Sequence, residues 1–103
     1  MDMEQLMAQA QELQSRVSEA QDKLSSTKVK GIAGAGDCII EMTGKYDLVK
    51  LTISDKAMQH SAAELSEIIS IAFRDAKTKA DSIIDNVMAE ATDGVSIPGL
   101  NNL

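Results

Sequence analysis

Apolar residues near the start of the chain recur at alternating spacings of three and four. This period predicts a helix over residues 3–24 with one apolar face made of Met3, Leu6, Ala10, Leu13, Val17, Ala20 and Leu24. The positions beside that face are mostly glutamine, so charge does not dictate its partner. The pattern fits packing on the chain's own sheet and pairing with a helix of a second subunit, and the sequence leaves both open.

The middle of the chain changes to a period of two, which is typical of strands with one buried face. Alternation predicts strands at two runs, with a short strand at residues 28–32 before them. The inward positions are Cys38, Ile40 and Met42 in the first run, and Val49, Leu51 and Ile53 in the second. Residues 44–47, Gly-Lys-Tyr-Asp, suit a hairpin connection. The sequence therefore predicts a three-stranded antiparallel sheet.

A second helical pattern begins at Ser61, which forms a capping box with Glu64, and no glycine or proline interrupts it before Gly94. About 30 residues of helix would span roughly 45 Å, more than a three-stranded sheet covers. Its far end is expected to project or to pack on a second subunit. We interpret residues 1–91 as a single α+β domain with a long N-terminal helix, a sheet and a long C-terminal helix. Residues 92–103 are predicted to be a flexible tail.

Four of the six glycines lie between Gly31 and Gly44, at the junction of helix and sheet. The run Gly31-x-x-Gly34-x-Gly36 matches neither a Walker loop nor a dinucleotide fingerprint. It precedes a strand, whereas phosphate-binding loops open a helix. The glycines are interpreted as architectural: they end a helix, start a strand and turn a hairpin.

Composition favours a small protein that gains stability by burying more apolar surface against a partner subunit. The chain has 103 residues, 2% aromatic content and a formal charge of −6, so its own core is modest. The single cysteine, Cys38, is interpreted as a buried hydrophobe. Acidic residues stand where a signal peptide would be cationic, and no apolar run approaches the ~18–20 residues of a membrane span. A cytoplasmic protein without membrane contact is expected.

Catalytic and metal-binding patterns find little support. His60 is the only histidine and has no triad or metal motif beside it. Asp81 and Asp85 are four residues apart, but two carboxylates without further ligands more often form a solvated face. We therefore expect no enzymatic activity, no cofactor and no metal.

Basic residues cluster at two places, one near the end of the first helix and one in the second helix. These residues are Lys23, Lys28, Lys30, Arg74, Lys77 and Lys79. From charge alone, scattered surface cations paired with neighbouring acids compete with two small basic patches. The net negative charge argues against broad attraction to DNA, and without aromatic platforms single-strand stacking is not expected.

Several short motifs, taken in order, resemble the YbaB/EbfC family of small bacterial nucleoid-associated proteins. The similar segments are the opening helix at residues 6–14, the glycine-rich entry to the sheet at residues 29–36, the hairpin and third strand at residues 43–55, the Ala72-Phe73-Arg74-Asp75-Ala76 block and the proline-glycine tail at residues 97–100. Arg74 stands where that family usually has asparagine. The family's adjacent basic pair is split here as Lys77-Thr78-Lys79.

The resemblance implies an intertwined homodimer that binds duplex DNA and helps to organise the nucleoid or to regulate genes. It implies no catalytic residues, and it assigns DNA contact to the long helices and their bases. On this chain those bases are the six just named. The alternative is an acidic dimeric adaptor that binds a DNA-processing protein without touching DNA.

Overall fold

The computed structural model describes residues 2–92. The chain begins with helix α1, Met3–Ser26, which confirms the first helical prediction. The carboxylate of Asp2 accepts a hydrogen bond from the backbone N–H of Glu4 at 3.3 Å, which satisfies one of the free donors at the helix start. At the other end, the Thr27 N–H donates to the carbonyl oxygens of Lys23 and Leu24.

Three antiparallel strands follow in the spatial order β1-β2-β3, as the alternation predicts. They are β1, Lys28–Ala33, β2, Cys38–Thr43, and β3, Leu48–Ile53. The turn between β1 and β2 contains Gly34 and Gly36 with φ of 59° and 100°, a left-handed backbone that glycine adopts without steric cost. The β2–β3 hairpin turns at residues 44–47, as expected.

Helix α2, Ala62–Ala91, returns across the sheet for 30 residues. The hydroxyl of Ser61 accepts from the Glu64 N–H at 3.2 Å, which confirms the predicted cap. Its inner face is made of alanines, and these small side chains bring the helix close to the strands. The buried cluster contains Ala72, Ala76 and Ala80 from α2 with Val29, Ala33, Cys38, Ile40 and Met42 from β1 and β2.

Gly31 lies in the middle of β1 at the closest approach of helix and sheet. A Cβ atom added there would lie 2.0 Å from the carbonyl oxygen of Ala72 and 2.4 Å from the nitrogen of Ala76. Since real Cβ atoms essentially never approach other heavy atoms closer than 3.0 Å, this position accepts only glycine. Gly31 therefore sets the spacing between α2 and the sheet. It does not end the first helix, because α1 already ends at Ser26 and Gly31 lies inside β1.

Within the described residues, the two helices pack together through their C-terminal parts. Ala20 and Leu24 of α1 are buried against Val87 of α2, so the far end of α2 supports α1. The beginning of α1 has no cover within residues 2–92, and the side chains of Met3 and Leu6 are 70% and 51% exposed. The apolar face of α1 therefore does not pack along its own sheet, and the described chain is elongated, measuring 67 × 25 × 17 Å.

Strand β3 differs from the expectation of one buried face. Leu48, Val49 and Leu51 are 62%, 44% and 43% exposed. The reason is that α2 packs mainly over β1 and β2, while Ile53 at the end of β3 still packs against the core cluster. A register shift between Glu41 and Met42 adds an irregularity to the β2–β3 pair. The third strand thus ends the sheet as an open apolar edge.

Neither long helix has an apolar stretch that could cross a bilayer within the described part of the chain. The predicted tail, residues 92–103, lies outside the described residues except for Thr92, whose N–H caps the end of α2. The division into a domain and a tail stays a prediction.

Candidate nucleic-acid interface

The predicted basic residue Lys79 lies at the outer edge of β1. Its ammonium donates to the carbonyl oxygen of Lys30 at 2.7 Å and pairs with the carboxylate of Asp75 at 3.1 Å. The same carboxylate accepts the backbone N–H of Ile32 at 2.9 Å. Asp75 and Lys79 lie one helical turn apart on α2, and together they satisfy two backbone groups of β1 that face away from β2. This edge of the sheet is thereby closed to further strands.

The hydrogen bond from the Ile32 N–H, with a second from Lys79, lowers the pKa of Asp75 from its ordinary value. A carboxyl whose folded pKa is depressed stabilises the fold above its unfolded pKa, and this contribution is lost as the pH falls through the folded pKa. Asp75→Asn is therefore expected to lower the urea midpoint at neutral pH, and the difference from wild type should shrink below about pH 4.

The matched control is Glu67→Gln, because Glu67 is exposed on the same helix. It removes the same charge and should leave the midpoint nearly unchanged. A gap between wild type and Asp75→Asn that stays constant from neutral to acidic pH would contradict the role of the ionised carboxylate.

Lys77 is also held by neighbouring groups. Its ammonium lies 3.7 Å from the Asp81 carboxylate and 5.7 Å from the centre of the Tyr46 ring. The Tyr46 hydroxyl donates to the same carboxylate, and this hydrogen bond raises the pKa of Tyr46. The hairpin tip is thereby joined to α2, and the charge of Lys77 is offset by Asp81.

Lys23, near the end of α1, lies 3.7 Å from the carboxylate of Glu90 on α2. This pair bridges the two helices where Leu24 packs on Val87. Three of the six predicted cations, Lys23, Lys77 and Lys79, thus have a carboxylate within 4.0 Å.

The other three predicted cations point to two different sides of the molecule. Within residues 2–92, Lys28, Lys30 and Arg74 form no ion pair. Arg74 is two positions from both Ala72 and Ala76, which face the sheet, so it lies about 200° around α2 on the side away from the sheet. The six residues therefore do not form one surface.

Lys28 and Lys30 lie on the face of the sheet opposite to α2, which we call the open face. Burial along β1 alternates, with Val29, Gly31 and Ala33 facing α2, so the lysines between them face the opposite way. The register places Lys30 beside Glu41, and Glu41 beside Lys50. The open face thus carries Lys28, Lys30 and Lys50 with one carboxylate on its three strands, and Lys50 has no ion pair within the described chain.

The sequence motifs do not single out Lys50 as a site residue. The available signal was its place in the alternation of β3, which puts it opposite the apolar positions 49 and 51. Cross-strand register then decides its neighbours, and register is not visible from β3 alone.

The described residues hold little other chemistry. Cys38 is fully buried in the core, and burial raises the pKa of its thiol. The His60 ring lies 3.0 Å from the Glu64 carboxylate at the start of α2, and this contact lowers the pKa of Glu64. No group of three His, Cys, Asp or Glu side chains suited to a metal ion occurs within residues 2–92.

The chain matches the model of the YbaB/EbfC DNA-binding family over residues 1–95. It is 38% identical to a nucleoid-associated protein of Rickettsia bellii over 95 residues, covering 91% of this chain and 89% of the relative. A nucleoid-associated protein of Anaeromyxobacter dehalogenans is 35% identical over 101 residues, covering 97% of this chain and 98% of the relative. The crystal structure of an uncharacterised protein from Helicobacter pylori has the same fold, with a TM-score of 0.77 at 21% identity over 87% of this chain and 96% of that one.

Proposed function

Because the chain belongs to the YbaB/EbfC DNA-binding family, we propose that it is a nucleoid-associated protein that binds duplex DNA as a homodimer in the bacterial cytoplasm. The family match over residues 1–95 carries this proposal. The protein would help to organise the nucleoid and could thereby affect gene expression. We propose no catalytic activity and no cofactor.

The charge distribution determines how such a protein would contact DNA. With a net charge of −6, the chain as a whole repels a polyanion, so binding has to use a surface whose local charge is positive. Contacts of lysine with phosphate oxygens position a protein on the duplex but carry no direct sequence information. We therefore propose DNA binding that is weakly sequence-specific and sensitive to salt.

The homodimer is supported by the unequal edges of the sheet. The edge of β1 is closed by Asp75 and Lys79, whereas β3 ends the sheet and exposes Leu48, Val49 and Leu51. A long apolar edge strand promotes aggregation unless something pairs with it. A second copy provides the same strand in antiparallel orientation across a two-fold axis, so we propose that two β3 strands pair and continue the sheet.

Titration of labelled duplex DNA at two salt concentrations tests DNA binding. Fluorescence anisotropy should show association at low salt. A plot of the logarithm of the association constant against the logarithm of the salt concentration should have a slope of about −0.9 for each phosphate contact. An absence of binding at low salt by a well-folded dimer would contradict the proposal and favour the adaptor function.

The adaptor alternative rests on the projecting part of α1. Asp2, Glu4 and Glu12 make this part acidic, and it exposes Leu6 and Met7. A basic amphipathic segment of a DNA-processing protein would complement both its charge and its apolar side chains. Binding of such a model peptide, with no binding of duplex DNA under the same conditions, would support this function over the first.

A further inference from the structure

We propose that the open face of the sheet, and not the long helices, carries the phosphate contacts of this protein, through Lys28, Lys30 and Lys50. This inference rests on the proposed DNA binding and specifies the surface responsible. It differs from the helix-based assignment that the family resemblance implies, because Lys28, Lys30 and Lys50 are cations that the described part of this structure leaves without a carboxylate within 4.0 Å.

The helix cations are poorly placed to attract a polyanion. Lys23, Lys77 and Lys79 each face a carboxylate within 4.0 Å, so binding a phosphate requires either breaking that pair or bringing the phosphate close to an acid. Lys79 is further committed to the carbonyl oxygen of Lys30. Arg74 lacks an ion pair within residues 2–92 but lies on the side of α2 away from the sheet.

The lysines of the open face are exposed and close together. Lys28 and Lys30 are two residues apart on β1, which places their Cα atoms about 7 Å apart. Lys30 and Lys50 lie in one cross-strand row on either side of β2, about 10 Å apart. That distance is comparable with the ~12 Å width of the major groove, so two flexible lysine side chains on one row can reach phosphates on both of its sides.

Glu41 is the only acid on the strands of this face, and it lies in the centre of the lysine row. Directly opposed residues have Cβ atoms about 5 Å apart, yet neither lysine lies within 4.0 Å of the carboxylate among the described residues. Glu41 therefore lowers the local positive potential without holding either lysine. Glu41 would repel a bound phosphate, so removing its charge should increase the affinity for DNA.

Pairing of β3 strands across a two-fold axis perpendicular to the sheet would leave both open faces on the same side. The lysine row of one protomer would then continue toward that of its partner on one surface, and a duplex lying across it would meet both sets. Loss of the dimer would weaken binding to this surface but would not change which residues make the contacts.

Two triple variants with the same change of charge test the location. Lys28→Gln/Lys30→Gln/Lys50→Gln removes the open-face cations, and Lys23→Gln/Arg74→Gln/Lys77→Gln removes helix cations; Lys79 is retained in both because it closes the β1 edge. The open-face variant is expected to lose about tenfold or more in affinity for duplex DNA and to show a shallower salt dependence. The helix variant should bind within about threefold of wild type, and circular dichroism should show both folded.

Glu41→Gln provides the opposite test, because misfolding cannot produce a gain. Removing one negative charge about 7 Å from a bound phosphate should tighten binding by about threefold. Glu67→Gln removes the same charge from the exposed side of α2 and should leave the affinity nearly unchanged.

The outcomes distinguish this inference from the function on which it rests. Absence of DNA binding by wild type overturns both. If wild type binds, the inference is overturned by a helix variant that loses affinity while the open-face variant does not, or by Glu41→Gln and Glu67→Gln having equal effects.

Discussion

Gly31→Ala is expected to destabilise the protein by about 3 kcal/mol or more, which is a large share of the stability of a small domain. The added Cβ would lie 2.0 Å from the Ala72 carbonyl oxygen and 2.4 Å from the Ala76 nitrogen. Both are backbone atoms in the middle of α2, so no side-chain rotation relieves the contact. Helix and sheet would have to separate, and the alanine face of α2 would lose contact with the core.

Urea unfolding followed by circular dichroism measures this effect, and Gly36→Ala is the control. At Gly36 an added Cβ meets nothing within 4 Å, but φ is +100°, so alanine there pays only backbone strain of about 1–3 kcal/mol. We expect Gly31→Ala to unfold at the lower urea concentration or to be unfolded from the start. A Gly31→Ala protein within 1 kcal/mol of wild type would show that the helix does not depend on this close approach.

Gly31 also illustrates what the sequence could and could not predict. The spacing of apolar residues and the capping and turn residues predict the two helices, the three strands and the hairpin, because these features depend on neighbours close in the chain. The need for glycine at position 31 arises from Ala72 and Ala76, more than forty residues away. The sequence alone indicates a residue that ends a helix and begins a strand.

The exposure of β3 could not be predicted for a similar reason. Alternation at Val49, Leu51 and Ile53 predicts that one face packs against something, but not against what. Because α2 lies mainly over β1 and β2, Val49 and Leu51 remain exposed in the described chain, and of these three residues only Ile53 packs against the core. A pattern of alternation thus predicts a face that is suited to burial, but it does not predict which element covers that face.

The basic residues show the same division between local and distant information. The pairs Asp75–Lys79 and Lys77–Asp81 follow the spacing of four that favours ion pairs on a helix, so partial neutralisation of these lysines was visible in the sequence. The contact of Lys79 with the Lys30 carbonyl oxygen, and the row formed by Lys30, Glu41 and Lys50, depend on tertiary packing and strand register. The six-residue DNA site stays a prediction, and its members lie on separate surfaces.

Leu51→Asp is expected to convert the proposed homodimer into a monomer. Leu51 lies in the middle of β3 and is 43% exposed, so in the paired sheet its side chain would lie near the two-fold axis and meet its copy. Two carboxylates brought together there would lose water and repel each other, at a cost of several kcal/mol for each buried ion. Light scattering should change from about twice the 11.0 kDa chain mass to the mass of one chain at micromolar concentration.

Leu6→Asp separates this interface from pairing through α1, the other arrangement that the heptad pattern leaves open. Leu6 is 51% exposed on the free part of α1, so the same substitution tests a surface of similar exposure. If β3 forms the interface, Leu6→Asp stays dimeric and only Leu51→Asp dissociates. The reverse result would assign the dimer to α1 and leave β3 open for another partner. A wild-type monomer at micromolar concentration would reject the homodimer altogether. If Leu51→Asp is monomeric and folded, its weaker DNA binding should also have a shallower salt dependence, because each molecule then brings one lysine row to the duplex instead of two.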